Sequence, residues 1–198
     1  MGFFRRFVDT PERLEDFRRV YSIPNDVVLE LAPEDGPVRF RELGDMEIPL
    51  VHIIEGGVRF PVNPLLRHFY HHLQLVPRRV ATNVIRVIMS VVALNRLTGS
   101  EMGLKEILHF YTVHKTPKGI YYFKKRAHKE ELIEYLPDSE RGDDDDYFVV
   151  SGNWQYAPGD GGVYEIPCSV SAPNCTASSY TAQLCFHFSC FFNCSAET

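Results

Sequence analysis

The stretch LLRHFYHHLQLVP places three histidines, His68, His71 and His72, within five residues, the densest run of metal-type ligands in the chain. On a helix, positions i, i+3 and i+4 share a face, so their imidazoles can converge. Zinc hydrolysis needs more than convergence. The helical zinc motif H-E-x-x-H carries a general base between its two histidines. Here Phe69 and Tyr70 stand where an acid is needed, and His52 is the only further ligand nearby in sequence. The pattern is met equally by a helix whose Leu and Phe side chains face the core while its histidines face water. The expectation is therefore no metal and no cofactor.

The second chemistry-bearing run is KTPKGIYYFKKRAHK. It interleaves Lys115, Lys118, Lys124, Lys125, Arg126 and Lys129 with Tyr121, Tyr122 and Phe123. Lysines and arginines hold phosphates, and aromatic rings between them stack bases. Lys118, Tyr121, Tyr122, Lys124, Lys125 and Arg126 are the candidate nucleic-acid contacts. A strand that alternates core aromatics with solvated lysines gives the same composition. Clustering of Lys124, Lys125 and Arg126 with Arg78 and Arg79 on one face would separate the two.

Other acids and thiols carry less. Asp143–Asp146 is a run of adjacent carboxylates, whereas two-metal sites gather theirs from separate elements, so a solvated loop is expected. The five cysteines, Cys168, Cys175, Cys185, Cys190 and Cys194, are spaced without any C-x-x-C pair. No glycine-rich phosphate loop and no G-x-S-x-G elbow occurs in the sequence. The chain reads as no enzyme.

The elements that must position these residues follow from caps and periodicity. Thr10-Pro11 opens a helix over 11–21, with Leu14, Phe17 and Tyr21 on one face. SIPNDVVLELAP fits a strand or one helical turn. MEIPLVHIIEGG reads as a short helix with a glycine stop. Asn63-Pro64 caps the histidine helix, whose buried face is Leu65, Phe69 and Leu73. The longest candidate helix runs over 77–97 and ends at Gly99. Between Val84 and Leu94 only Arg86 and Ser90 are polar, so it belongs in the middle of a core. A short helix follows over 103–112. Residues 120–126 and 147–152 are aromatic and β-branched and predict two strands of a small antiparallel sheet.

Charge divides the chain. All 21 Lys and Arg lie at or before Arg141, against 19 acids over the same span, whereas residues 142–198 hold seven acids and no base. Together with the cysteines this marks 157–198 as a Ser/Cys/Phe tail, expected to be poorly ordered, beside one compact domain over 10–156. The cysteine-free body reads as intracellular. No apolar run has the length of a membrane span, so no membrane partner is expected.

Taken in order, the landmarks YSIPNDVVLEL, GDMEIPLVHIIEGGVRFPVNPLLRHF, LQLVPRRVATNVIRVIMSVVAL, FYTVHKTPKGIYYFKKR and YFVVSGNW form a series. The series resembles the gypsy-type transposase domain of plant retroelement-derived open reading frames. Gly57 to Pro61 is similar to that family's G-[LV]-R-[FL]-P segment, and Pro77 to Asn83 to its P-x-x-[LV]-x-x-N segment. Tyr122, Phe123 and the run from Phe148 to Trp154 correspond to its later landmarks. The chain departs from the family at Val84, where a bulky aromatic is usual, and beyond Gly162. The resemblance implies a retroelement-derived polypeptide and carries no established activity. The expectations are a mainly helical α+β domain with a long central helix, acting as a non-catalytic assembly or interaction module. Its partners would be copies of itself or other retroelement proteins. The alternative is a nucleic-acid-binding module using 115–129, with weak binding.

Overall fold

The structure, a computed structural model, describes residues 3–33, 44–134 and 146–167. They form an α+β fold. Helices α1 (Pro11–Val20), α2 (Leu50–Ile54), α3 (Pro64–Leu73), α4 (Thr82–Thr98) and α5 (Leu104–Phe110) combine with strands β1 (Val27–Leu31), β2 (Met46–Pro49), β3 (Tyr111–Lys115), β4 (Tyr121–Lys125) and β5 (Tyr147–Gly152). Short 3-10 turns span Arg5–Phe7 and Pro77–Arg79.

Local caps act as the sequence requires. The Thr10 hydroxyl accepts from the Arg13 amide ahead of Pro11, and the Asn63 carboxamide accepts from the Leu65 amide ahead of Pro64. Each satisfies an amide that the first helical turn leaves open. Gly99 closes α4 with φ +69°, the left-handed conformation that a residue without Cβ adopts at least cost.

The strands do not pair as expected. Residues 120–126 and 147–152 belong to different sheets. β4 folds back on β3 across a tight turn, with Val113 opposite Phe123. β5 lies between β1 and β2, antiparallel to both, with Phe148 opposite Leu31 and Ile48. The local hairpin costs only a short loop closure, which leaves β5 to the two strands at the other end of the core. Flanked on both edges and packed on both faces, β5 buries Phe148, Val149 and Val150 in succession.

The helix expected over 77–97 starts later. Pro77–Arg79 is a separate turn, Val80 and Ala81 are extended, and α4 begins at Thr82. The reason is the hairpin: Val80 bridges Tyr121, and the Ala81 amide donates to the Tyr121 carbonyl at 2.8 Å. The first half of α4 is core, with Val84, Ile85, Val87, Ile88 and Val91 fully buried. The second half emerges from the core, and Leu97 is 84% exposed. α2 crosses α4 at Gly56, where an added Cβ would lie 2.5 Å from the His52 carbonyl and 2.7 Å from Ile85 Cγ2.

Packing extends past both limits of the 10–156 domain read from the sequence. Phe4 and Val8 are buried in the core at one end and Ile166 at the other. Asp146 corrects the solvated-loop expectation for the last of the four aspartates. It is buried, and its Oδ2 accepts from the amides of Phe4 at 3.1 Å and Arg5 at 2.9 Å. Two amide donors at the start of a 3-10 turn provide the polar environment that a buried carboxylate needs. Asp143, Asp144 and Asp145, the cysteines and the tail beyond Pro167 lie outside the described residues.

Candidate functional site

The hairpin β3–β4 carries the candidate nucleic-acid contacts, and strand alternation divides them. Tyr121, Phe123 and Lys125 share one face with Tyr111, Val113 and Lys115. Phe123 and Tyr111 are buried, with ring centroids 5.4 Å apart. Tyr122 and Lys124 point the other way, beside His114 and Thr112. The Thr112 hydroxyl donates to the Lys124 carbonyl at 3.1 Å and accepts from His114 Nε2–H at 2.9 Å. Lys125 pairs with Glu131 at 3.7 Å, and Arg126 Nε donates to the Leu108 carbonyl at 3.0 Å.

Lys124, Lys125, Arg126, Arg78 and Arg79 therefore do not share a face. Arg78 is exposed but committed elsewhere: its Nη1 meets both carboxylate oxygens of buried Glu47 at 3.0 Å, and its guanidinium lies 4.7 Å from the Tyr147 ring centroid. Arg79 goes to the tip of the hairpin, where Nη1 donates to the Lys118 carbonyl at 3.5 Å. Of the six candidates, Lys118 and Tyr121 sit at the tip, Tyr122 and Lys124 on the outer face, and Lys125 and Arg126 at the base.

The histidines hold a strap. Residues 154–167 run without regular structure along α3. His68 stacks on Tyr164 with centroids 4.1 Å apart, and His71 Nδ1–H donates to the Glu165 carbonyl at 3.0 Å. Burial beneath the strap holds the His68 pKa below the usual histidine value, with the His72 and His71 charges adding to the effect. Between these contacts and the core lies Arg67, which is 1% exposed. Its Nη2 pairs with Asp160, and its guanidinium lies 4.5 Å from the Tyr156 ring centroid. Neither the strap nor Arg67 was visible in the sequence. The signals available were an arginine inside the apolar face of α3 and the Gly-Asp-Gly-Gly turn that returns Asp160 to it.

His52 lies apart from the other histidines, engaging the segment that leads into α4. It is buried, its Nε2–H donates to the Val80 carbonyl at 3.0 Å, and burial pushes its pKa down to about 4. Among the described residues no group of three or more His, Cys, Asp or Glu is placed to hold a metal ion.

An apolar groove of about 520 Å³ opens between the N-terminal turn, α1 and the end of α2. Phe7, Phe17, Val20, Tyr21 and Ile54 line it, with Arg6, Arg13 and Asp16 at its polar positions. Phe7 is 45% and Val20 69% exposed, and Phe3 beside them 58%. The polar groups are engaged with neighbours. Arg13 pairs with Asp9, Asp16 with Arg19, and Arg6 lies over the rings of Phe3 and Phe7. The groove has no signature in the sequence, because its walls come from three separate segments.

The fold thus defines an α+β domain with two small antiparallel sheets, a basic hairpin and an exposed apolar groove. No family model, no curated protein and no solved structure matches the chain. Among the described residues no helix is long and apolar enough to cross a membrane.

Proposed function

We propose that the chain is a non-catalytic, retroelement-derived assembly module, a mainly helical α+β scaffold organised about α4 that associates with copies of itself. The observation that carries this reading is the groove with its rim of Phe3, Phe7 and Val20. Large apolar side chains exposed together around a concavity mark an interaction surface. Arg13 and Asp16 place both charge signs beside the groove, which a self-complementary two-fold contact can use.

The landmark residues support a scaffold role. Val58 and Phe60 are buried, Asn83 bonds the backbone of Phe123, and Phe148 is core. Trp154 is buried and donates from Nε1 to the Gly44 carbonyl at 3.1 Å. Each of these residues builds the fold, and none of them lines the groove.

Size-exclusion light scattering of the full chain tests the proposal. The parent is expected to gain mass toward a dimer as its concentration rises. A Phe7→Glu/Val20→Glu variant with an unchanged circular dichroism spectrum is expected to stay monomeric. A parent that remains monomeric at the highest soluble concentration defeats the reading.

A further inference from the structure

The hairpin tip joins cations from three places in the chain. Lys115 ends β3, Lys118 sits in the turn, and Arg79 arrives from the 3-10 turn before α4. The turn is held by three hydrogen bonds: Thr116 amide to Ile120 carbonyl at 2.8 Å, Gly119 amide to Thr116 carbonyl at 2.9 Å, and Ile120 amide to Thr116 Oγ1 at 3.1 Å. Gly119 has φ +86°, and a Cβ there would stand 3.1 Å from Arg79 Nη1. A Cβ there would push the guanidinium aside by a few tenths of an ångström, and the positive φ favours glycine in any case. Lys115 Nζ lies 5.3 Å from the Tyr121 ring centroid, which fixes the position of a second cation beside it.

Charge along the hairpin is uneven. From Tyr111 to Lys129 the sequence holds six Lys and Arg and no Asp or Glu. At the base, Glu131 pairs with Lys125, whereas the tip gains Arg79. The outer face then runs from the tip through Tyr122, half-buried beside His114 with centroids 5.7 Å apart, to exposed Lys124. Tyr122 and Lys124 are same-face neighbours about 7 Å apart, whereas Lys115 leaves β3 on the opposite face and reaches the tip beside Gly119.

We propose that this hairpin is a binding site for single-stranded nucleic acid. Arg79, Lys115 and Lys118 take backbone phosphates at the tip, a base stacks on Tyr122, and Lys124 takes a phosphate beyond it. Single strands are favoured over duplex because a ring stacks only on a base that is already unstacked. The site lies on the hairpin and shares no residue with the groove, so it stands or falls independently of self-association.

Fluorescence anisotropy of the full chain with a labelled oligothymidylate and with a duplex of equal length tests the proposal. The single strand is expected to bind more tightly. Its log-log salt slope is expected to be about −2 to −3, the value for three or four neutralised phosphates on a single strand. Reversing the tip in Arg79→Glu/Lys115→Glu/Lys118→Glu is expected to abolish binding. Tyr122→Ala is expected to weaken binding by about tenfold, the loss of one stacked base. Arg96→Gln, which removes an exposed cation near the end of α4 and away from the hairpin, is expected to leave the affinity unchanged. Thermal melts confirm that each variant is folded. Three results overturn the site: no binding at low salt, binding that survives the tip reversal in a folded variant, or displacement by polyglutamate as readily as by unlabelled oligonucleotide. The last would mark the patch as a docking point for acidic protein.

Discussion

The carboxamide of Asn83 acts as a strand partner for Phe123. Its Nδ2 donates to the Phe123 carbonyl at 2.9 Å, and its Oδ1 accepts from the Phe123 amide at 3.4 Å. The pairing follows from register. β4 turns the amides and carbonyls of Tyr122 and Lys124 toward β3, so those of Phe123 face outward, where no strand runs. The Ala81 amide covers Tyr121 on the same edge. The first turn of α4 thus completes the hairpin, which explains an asparagine at the buried start of a helix.

Asn83→Ala leaves a buried amide and a buried carbonyl of Phe123 without partners. We expect a loss of about 2–4 kcal/mol, read as a lower urea midpoint at unchanged m-value. Asn83→Leu fills the volume but not the bonds, and is expected to fare no better. A loss below about 0.5 kcal/mol in both variants would show that the edge finds other partners.

What the sequence made legible was what neighbours in the chain decide. The Thr10-Pro11 and Asn63-Pro64 starts, the Gly99 stop and the strand character of 120–126 and 147–152 all depend on residues within a turn or two. What it hid was decided across the core. Whether Tyr147–Gly152 pairs with the hairpin or with β1 and β2 depends on strands about a hundred or more residues away. Val80 and Ala81 have no helix-breaking residue; they stay extended because the Tyr121 carbonyl takes the Ala81 amide, while the Val80 amide donates to the Pro77 carbonyl and the Val80 carbonyl accepts from His52. Asp146 looked like its three neighbours until the amides of Phe4 and Arg5 arrived. The basic segment was legible as a composition, but not as a tip, an outer face and a neutralised base.

His52 makes stability depend on pH. Its folded pKa of about 4 lies below the ordinary value of 6.5, because burial disfavours the imidazolium. As pH falls, the unfolded chain takes up this proton first. The contribution is therefore complete above pH 6.5, is lost as pH falls from 6.5 toward 4, and is level below that. The loss is on the order of 3 kcal/mol. His52→Gln retains an N–H for the Val80 carbonyl and cannot titrate. The difference in unfolding free energy between parent and variant should track this window. A flat difference across it means that His52 reaches solvent.

The Arg67–Asp160 pair is expected to be worth more broken than replaced. Asp160→Ala strands a buried guanidinium that then has no carboxylate, and we expect a loss of about 3–5 kcal/mol. Arg67→Met/Asp160→Ala removes the charge together with its partner and keeps an unbranched side chain in the space. It is expected to recover most of the loss. Chemical denaturation of the parent, both single variants and the double variant closes the cycle. Additive single losses would show that the two side chains act independently.

The strap also sets where the chain can be shortened. The sequence expects a poorly ordered tail over 157–198, dispensable from about residue 163, whereas Tyr164 stacks on His68, the Glu165 carbonyl accepts from His71, and Ile166 is 2% exposed. Burying one isoleucine contributes about 2–3 kcal/mol, enough to offset much of the ordering of a few residues. A chain ending at Pro167 keeps all three contacts and one ending at Gly162 loses them. We expect the Gly162 truncation to melt several degrees below the Pro167 truncation, and Ile166→Ala in the full chain to reproduce part of that drop. Equal melting temperatures for the two truncations would mean that residues 163–167 rest on α3 without stabilising it, and would return the boundary to the sequence-based position.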